Sequence, residues 1–308
     1  MSPENYGLLF AILSPFFTSV SAIFKAGGVK IFDPITFLVI SSAMGAVLLI
    51  AFARIFKEKF SFEKIKKHKK DLFLSILLRG VLGELFLTLG LSQTEAIKAI
   101  FLSKIEVYFV LIISWIFLKE KIQSKHFLLL IIHVIGAIIL STGGKFQTLQ
   151  AHLGDFFIVL AVFFFACSYT FSKKTATNIG SVYSNAISLT ISAIIFLPFM
   201  LRPIAFKHFD SQTGWIYLVT FVILFNVLGL TFWFISLKHV KAWIVSSLRY
   251  IGPVLGAPAA YFVLGETLNP MQIFGAIIVI TTSLLIVREH FKTKDVLIKQ
   301  SKYIGEEN

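Results

Sequence analysis

A nearly unbroken series of apolar stretches, each about 20 residues long, runs from Tyr6 to Arg288. An α-helix of about 20 apolar residues crosses the roughly 30 Å hydrocarbon core of a bilayer. A backbone in lipid must satisfy its own hydrogen bonds, and these stretches lack the two-residue alternation of a membrane β-barrel. The pattern therefore predicts an all-α integral membrane protein.

The composition agrees with this prediction, because only 15% of the 308 residues are charged and 56% are hydrophobic. Soluble domains carry about 25% charged residues. Ten membrane-spanning helices are predicted, with ends uncertain by a few residues, at about 6–27, 35–55, 71–92, 96–117, 126–142, 154–172, 182–201, 214–236, 242–264 and 271–287. No loop between them is long enough for a soluble domain.

The net charge of +13 is distributed unevenly between alternate loops. Basic residues crowd the loops that lie on the same side as the N-terminus, above all from Lys57 to Lys70, whereas the opposite side carries few. This asymmetry follows the positive-inside rule and predicts that both termini are cytoplasmic, in a multi-pass protein of the cytoplasmic (inner) membrane. It also argues against nucleic acid as the partner of the positive charge.

The second half of the chain resembles the first. The stretch from Lys104 to Glu120 aligns with that from Tyr250 to Glu266 at a constant offset of 146 residues. We predict a first five-helix repeat at 1–146, a second at 147–290 and a cytoplasmic tail at 291–308. Five helices per repeat would invert the second copy relative to the first, an arrangement that transporters use to place a central site between two halves.

Several short motifs carry a family resemblance. These are Leu-Gly-Glu-Thr-Leu-x3-Gln-x2-Gly from Leu264 to Gly275, Pro253 upstream of it, Glu106-Val in the first half, Leu118-Lys-Glu, and Lys25 near the end of the first helix. With the five-helix duplication, they resemble the EamA-type permeases of the drug/metabolite transporter (DMT) superfamily. The resemblance implies a ten-helix, inverted-repeat carrier of small organic solutes. The chain departs from the usual pattern at Val107, where proline is common, and at Lys119, where glycine is common.

Ionisable residues inside the predicted helices are candidate functional residues, because each costs at least about 2.5 kcal/mol to insert. Glu84 and Lys104 lie at similar depths on adjacent antiparallel helices and are predicted to form a structural ion pair. Arg79 and Arg249 have no predicted acidic neighbour at their depth. They are either a site for a carboxylate or phosphate, or side chains that extend to the cytoplasmic headgroups.

Glu106 lies near the predicted mid-membrane and has no identified partner. Its carboxylate could bind a substrate amine, carry a coupling proton, or stay protonated and bond to a neighbouring helix. Asn226, Trp233 and Tyr250 could line an amphipathic pocket, and helix packing explains them equally well.

The predicted function is secondary transport by alternating access. The predicted substrate is a small amphipathic metabolite, such as an amino acid, an amino-acid derivative or a similar anionic or zwitterionic solute. The alternatives are an exporter of aromatic or cationic drug-like compounds and a membrane protein that does not transport.

Enzyme chemistry finds little support in the sequence, which shows no metal-ligand spacing, nucleophile motif or phosphate-binding glycine loop, and a membrane-embedded enzyme or scaffold is the rival class. No cofactor and no metal are expected. The partners are the substrate, a candidate coupling proton and the lipid bilayer, and the protein is a monomer or a homodimer.

Overall fold

The structure is a computed structural model, and it describes residues 2–53, 55, 58–91, 102–103, 105–119, 124–143, 153–201, 209–252, 254–255 and 269–305. Those residues form helices and connecting turns, and no strand occurs among them. The α-helices are α1 Pro3–Ile31, α2 Pro34–Phe52, α3 Phe62–Lys67, α4 Lys69–Ser75, α5 Glu84–Leu91, α6 Glu106–Leu118, α7 Ser124–Thr142, α8 Leu153–Asn178, α9 Ser181–Phe196, α10 Gln212–Phe221, α11 Leu230–His239, α12 Ala242–Leu248 and α13 Pro270–Gly305.

Local sequence explains where several of these helices begin. Ser2 precedes Pro3 at the start of α1, and its hydroxyl accepts a hydrogen bond from the backbone N–H of Asn5. Asp33 precedes Pro34 in the same way and caps α2. A proline fits the first helical position because its missing N–H would have no helical partner there. The side-chain chemistry of Ser2–Pro3 and Asp33–Pro34 therefore explains where α1 and α2 begin.

The end of α6 shows why glycine is common at one position of the resembled family. Lys119 follows α6 in the left-handed conformation with φ of +52°, and its N–H bonds to the carbonyl of Ser114. Glycine adopts this conformation without the steric cost of a Cβ atom.

Five stretches in the described part of the chain are long and apolar enough to cross a bilayer: Pro34–Phe52, Leu153–Asn178, Ser181–Met200, Gln212–His239 and Pro270–Arg288. Two shorter apolar helices lie at Glu106–Leu118 and Ser124–Leu140. Large apolar side chains such as Val47 and Leu284, each 66% exposed, cover the outer surface as expected for a surface in lipid. The predicted all-α membrane class is confirmed. The count of ten helices stays a prediction, because parts of the predicted spans 96–117 and 242–264 lie outside the described residues. Glu120, Glu266, Pro253 and Pro258 also lie outside them.

Two long helices change to π-helical geometry at corresponding places in the two halves. The first π-helical segment, Ile76–Gly83, joins α4 to α5, and the second, Val222–Gly229, joins α10 to α11. Both ends of the second segment lie 146 residues beyond those of the first, since 222 minus 76 and 229 minus 83 each equal 146. This is the offset at which the sequence repeat aligns.

The contacts between helices also follow the duplication of the two halves. The first helix of each half packs against the long π-containing helix of the other half, so that α1 packs on α11 and α8 packs on α5. Equivalent helices also pack on each other, α2 on α9 and α7 on α13. Helices α7 and α13 run antiparallel, because His133 contacts Thr282 whereas Gly143 lies beside Asn269. The interface between the halves therefore runs through the centre of the bundle.

Candidate functional site

A cavity of about 270 Å³ lies at this central interface, between α2, α9 and the two π-helical segments. Its lining is mostly apolar, with a few polar and charged side chains. The lining residues are Lys25, Pro34, Phe37, Leu38, Ser41, Ser42, Arg79, Gly80, Glu84, Leu87, Asn185, Ser188, Leu189, Ser192, Phe221, Phe225, Asn226, Leu230 and Phe234. A mainly apolar cavity with a small number of placed polar groups is typical of a small-molecule site.

Arg79 brings a positive charge to this cavity from the first π-helical segment. Its guanidinium carbon lies 4.2 Å from the ring centre of Trp233 and 5.6 Å from that of Phe165, both in cation–π geometry. Within the described ranges, Arg79 makes no hydrogen bond and no ion pair. Its planar N–H donors are therefore available for an anion, which is the chemistry predicted for this residue.

Lys25 and Glu84 supply the remaining charges of the cavity. The Lys25 ammonium lies 3.8 Å from a carboxylate oxygen of Glu84, and also 5.8 Å from the ring centre of Phe221. The predicted partner of Glu84, Lys104, lies outside the described residues. Two basic groups and one carboxylate leave the lining with a formal charge of +1.

Asn226 and Asn185 hold three elements together at the cavity wall. The Asn226 side-chain amide donates to the backbone carbonyl of Ser41 at 2.7 Å, which ties the second π-helical segment to α2. The Asn185 amide donates to the Asn226 carbonyl at 2.8 Å and to Thr231 Oγ1 at 2.9 Å, which ties the same segment to α9. Among the described residues, the buried Asn185 Oδ1 has no hydrogen-bond partner, so it is an acceptor available to a ligand.

A second polar cluster lies behind Trp233 and centres on Glu106. Arg249 Nη1 donates to Glu106 Oε1 at 2.6 Å and to the Tyr169 hydroxyl at 3.2 Å. Tyr169 in turn donates to Glu106 Oε1 at 2.8 Å. Each member of the cluster therefore has a partner.

The prediction that Arg249 has no carboxylate at its depth is wrong. It counted depth from predicted helix ends, whereas α6 begins at Glu106 itself and the chain changes to a 3-10 turn at Arg249. In the folded chain the two charged groups lie 2.6 Å apart, so the acid and the base are at the same level. The cluster also supplies the partner that Glu106 lacked in the sequence.

Trp233 lies between the cavity and this cluster. Its ring contacts Arg79 on the cavity side, and it packs edge-on against Tyr169 with ring centres 5.0 Å apart. The side chain is 2% exposed. One buried aromatic ring therefore lies between Arg79 and Tyr169 of the Glu106 cluster.

Tyr250 lies in the 3-10 turn after α12 and fastens that turn to the start of α6. Its hydroxyl accepts a hydrogen bond from the Val107 N–H at 3.3 Å and donates to the Ser103 carbonyl at 3.4 Å. Its ring stacks on His133. Like Glu106 and Arg249, Tyr250 is not among the lining residues of the cavity.

Of the six predicted substrate-binding residues, the cavity brings together Arg79 and Asn226, and Trp233 contacts Arg79. Sequence reasoning did not select Lys25, Tyr169 or Asn185 as site residues. Tyr169 and Asn185 could have been found as polar side chains in the middle of apolar stretches. No group of three or more His, Cys, Asp or Glu side chains that could hold a metal occurs in the ranges described.

The chain belongs to the EamA-like transporter family, whose pattern matches residues 5–142 and again residues 152–288. The predicted family is therefore confirmed. The family pattern occurs twice in this chain, which agrees with the duplication of helices and π-helical segments.

Several curated relatives are named transporters. An uncharacterized transporter of Methanothermobacter thermautotrophicus is 25% identical over 68% of this chain and 62% of its own length. An S-adenosylmethionine uptake transporter of Rickettsia felis is 27% identical over 68% of this chain and 70% of its own. The pseudopaline exporter CntI of Pseudomonas aeruginosa is 23% identical over 92% of this chain and 96% of its own. The match to the first of these relatives thus spans less than two thirds of that protein.

A solved structure described only as "Crystal structure of protein" has the same fold. It superposes with a TM-score of 0.79 over 94% of this chain and 99% of that chain, at 12% identity. At this identity the likeness concerns the fold alone.

Proposed function

We propose that this protein is a secondary transporter that moves a small amphipathic metabolite across the cytoplasmic membrane by alternating access. The substrate class is an amino acid, an amino-acid derivative or a similar anionic or zwitterionic solute. The observation that carries this proposal is Arg79, a guanidinium without an ionic partner among the described residues, at a cavity between the two halves.

Arg79 selects for a carboxylate-bearing solute. A guanidinium binds a carboxylate through two parallel hydrogen bonds, and such charge-assisted bonds are about twice as strong as neutral ones. Stacking on Trp233 holds the guanidinium plane in place before the substrate arrives. Holding the group in place reduces the entropy that binding must overcome.

Glu84 offers a place for the positive end of a zwitterion. The carboxylate pairs with Lys25 at 3.8 Å, a long and partly exposed contact that an ammonium group of the substrate can replace. Glu84 follows Arg79 by five residues through π-helical geometry, in which i and i+5 share a helix face. The carboxylate and ammonium ends of one small molecule can thus meet opposite charges on one wall.

The relatives support this substrate class. S-adenosylmethionine, named for the Rickettsia felis relative, is an amino-acid derivative. One relative is named for uptake and another for export, so direction is not inferred from the family.

A second candidate substrate is an aromatic, drug-like compound. Four phenylalanines, Phe37, Phe221, Phe225 and Phe234, line the same cavity. Aromatic faces bind flat apolar molecules and organic cations. Arg79, which has no ionic partner among the described residues, disfavours a cation, and for this reason the anionic or zwitterionic class is preferred.

Counterflow in liposomes tests the proposal. Purified protein is screened with labelled amino acids, organic acids and cationic dyes, with and without a pH gradient. Saturable exchange of a carboxylate-bearing class is expected, and a dependence on the pH gradient would show that transport is coupled to protons. Exchange of cationic dyes alone would favour the drug-like alternative, and no exchange of any class by folded protein would argue against transport.

Arg79→Gln is the matched variant, and Arg288→Gln, which changes an exposed arginine at the end of the α13 span, is its control. Loss of a charge-assisted contact should lower exchange by about tenfold or more in Arg79→Gln. Arg288→Gln should match the wild type. Wild-type rates in correctly inserted Arg79→Gln would contradict the anion site.

A further inference from the structure

Helix α9 begins without a cap of its own. The residue before Ser181 is Gly180, which has φ of +122° and no side chain to accept a hydrogen bond. The first N–H groups of a helix have no partner within the helix, so they need acceptors from elsewhere.

Glu58, from the connection after α2, supplies those acceptors. Its Oε1 accepts from the Ser181 N–H at 2.7 Å, and its Oε2 accepts from the N–H groups of Val182 at 2.9 Å and Tyr183 at 3.4 Å. Phe60 packs edge-on against Tyr183, with ring centres 5.3 Å apart. A carboxylate at this position also interacts favourably with the positive end of the helix dipole. The cap thus comes from a residue 123 positions away, in the other half of the molecule.

The equivalent helix of the first half does not borrow a cap. Helices α2 and α9 begin 147 residues apart, so Asp33 corresponds to Gly180. Asp33 caps its own helix through Oδ2, at 3.1 Å from the N–H groups of Ile35 and Thr36. At the same offset Glu58 corresponds to Ala205, which has no carboxylate. Of this pair of equivalent helices, therefore, only α9 takes its cap from the other half among the described residues.

The Glu58 cap and the cavity lie at opposite ends of α2. The cavity is lined by the Pro34 end of α2, whereas Glu58 follows the other end of the helix. Between them lie the buried side chains of Leu49, Val182 and Ala186, which are 0–2% exposed. Access to the cavity from the Glu58 side is blocked by this packing, and the Glu58 cap holds its two helices together.

We propose that Glu58 is a positioning residue of the transport cycle, a releasable latch that keeps the Glu58 side closed by capping α9 from the other half. The latch rests on the proposed function, since alternating access requires this end to open. Opening separates α2 from α9 and exposes the first N–H groups of α9 to water, which replaces the carboxylate. Loss of the carboxylate should therefore favour the state that is open to the Glu58 side.

Cysteine labelling tests the latch without any substrate. The single native cysteine is removed by Cys167→Ser, and Ala186→Cys places a reporter in the packing beneath Glu58. A membrane-impermeant maleimide is applied from each side in oriented vesicles. We expect Glu58→Ala to raise the labelling rate of this reporter from the Glu58 side by about fivefold, the size of a lost helix cap. A second reporter, Ser42→Cys on the cavity wall, should label more slowly from the opposite side.

Two further variants separate a latch from general destabilisation. Glu58→Gln keeps an acceptor oxygen without the charge and should give an intermediate rate, and it replaces Glu58→Ala if that variant does not fold. Glu63→Ala removes a carboxylate from the nearby helix α3 and should leave both rates unchanged. Unchanged labelling of both reporters in folded Glu58→Ala and Glu58→Gln would overturn the latch. Since labelling needs no substrate, failure of the counterflow assay would leave this result intact.

Discussion

At the scale of residues, two arginines with the same sequence signature have different environments. Both Arg79 and Arg249 interrupt apolar stretches. Arg249 donates to Glu106, whereas Arg79 lies over Trp233 with no carboxylate among the described residues within 4 Å. A charged side chain inside a membrane-spanning helix is costly, so a partly buried guanidinium without an ionic partner among the described residues is a candidate functional group. We therefore propose that Arg79 binds the ligand, whereas Arg249 forms an ion pair with Glu106.

We expect Glu106→Gln to destabilise the protein by about 2 kcal/mol, because it leaves the partly buried Arg249 guanidinium beside a neutral amide. This value is below that of a fully buried pair, since the Arg249 side chain is 33% exposed. The measurement is the free energy of unfolding in mixed detergent micelles.

The double variant Glu106→Gln/Arg249→Met is the control. It removes both charges, so it should recover part of the loss if the two residues form one unit. If the loss of stability in the double variant equals the sum of the losses in Glu106→Gln and in Arg249→Met made alone, Glu106 and Arg249 do not stabilise each other.

At the scale of elements, the duplication is clearer in the two π-helical segments and their contacts than in the amino-acid sequence. Gly83 ends the first segment against Phe165 of α8, and Gly229 ends the second against Thr18 of α1. Hydrogen bonding from i to i+5 depends on how neighbouring helices pack, and no residue pattern in Ile76–Gly83 or Val222–Gly229 predicts it. The helices themselves were predictable from apolar runs, and their irregular geometry was not.

The crossing of α7 and α13 depends on glycine. A Cβ atom at Gly275 would lie 2.8 Å from the Gly136 carbonyl oxygen and closer still to the backbone of Leu140. Backbone atoms cannot move aside as a side chain can. We therefore expect Gly275→Ala to cost about 1–3 kcal/mol, the usual range for overpacking, measured as a lower melting temperature in detergent.

Ile277→Ala on the same helix is the comparison for Gly275→Ala. Ile277 is 56% exposed on the lipid-facing surface, so its truncation should change the melting temperature little. Equal effects of the two substitutions would show that the close crossing does not limit stability.

At the scale of the whole molecule, the charge pattern predicts an orientation that reporter fusions can test. Both termini should be cytoplasmic, and the connection after α7 should be external, because basic residues mark the cytoplasmic loops. A green fluorescent protein fused after Asn308 should fluoresce, and alkaline phosphatase fused after Lys145 should be active. Active alkaline phosphatase fused at the C-terminus would contradict the cytoplasmic position of that terminus.

The sequence by itself determined the class of this protein, its duplication and its family. Apolar length, charge asymmetry and paired motifs are properties of the chain alone, and bilayer thickness converts them into helices without reference to any tertiary contact. It also indicated Arg79 and Asn226, because polar groups in apolar helices need a reason to be there.

Only the tertiary structure decided which of these polar groups have partners. The contact between Glu106 and Arg249 joins residues 143 positions apart, and the Glu58 cap joins residues 123 apart. Two side chains on different helices can pair only if their depths in the membrane match to within about one helical turn. Depths counted from predicted helix ends have an error of the same size. The packing of the two halves removes that uncertainty, because buried charges and helix ends must find their partners where the interface places them.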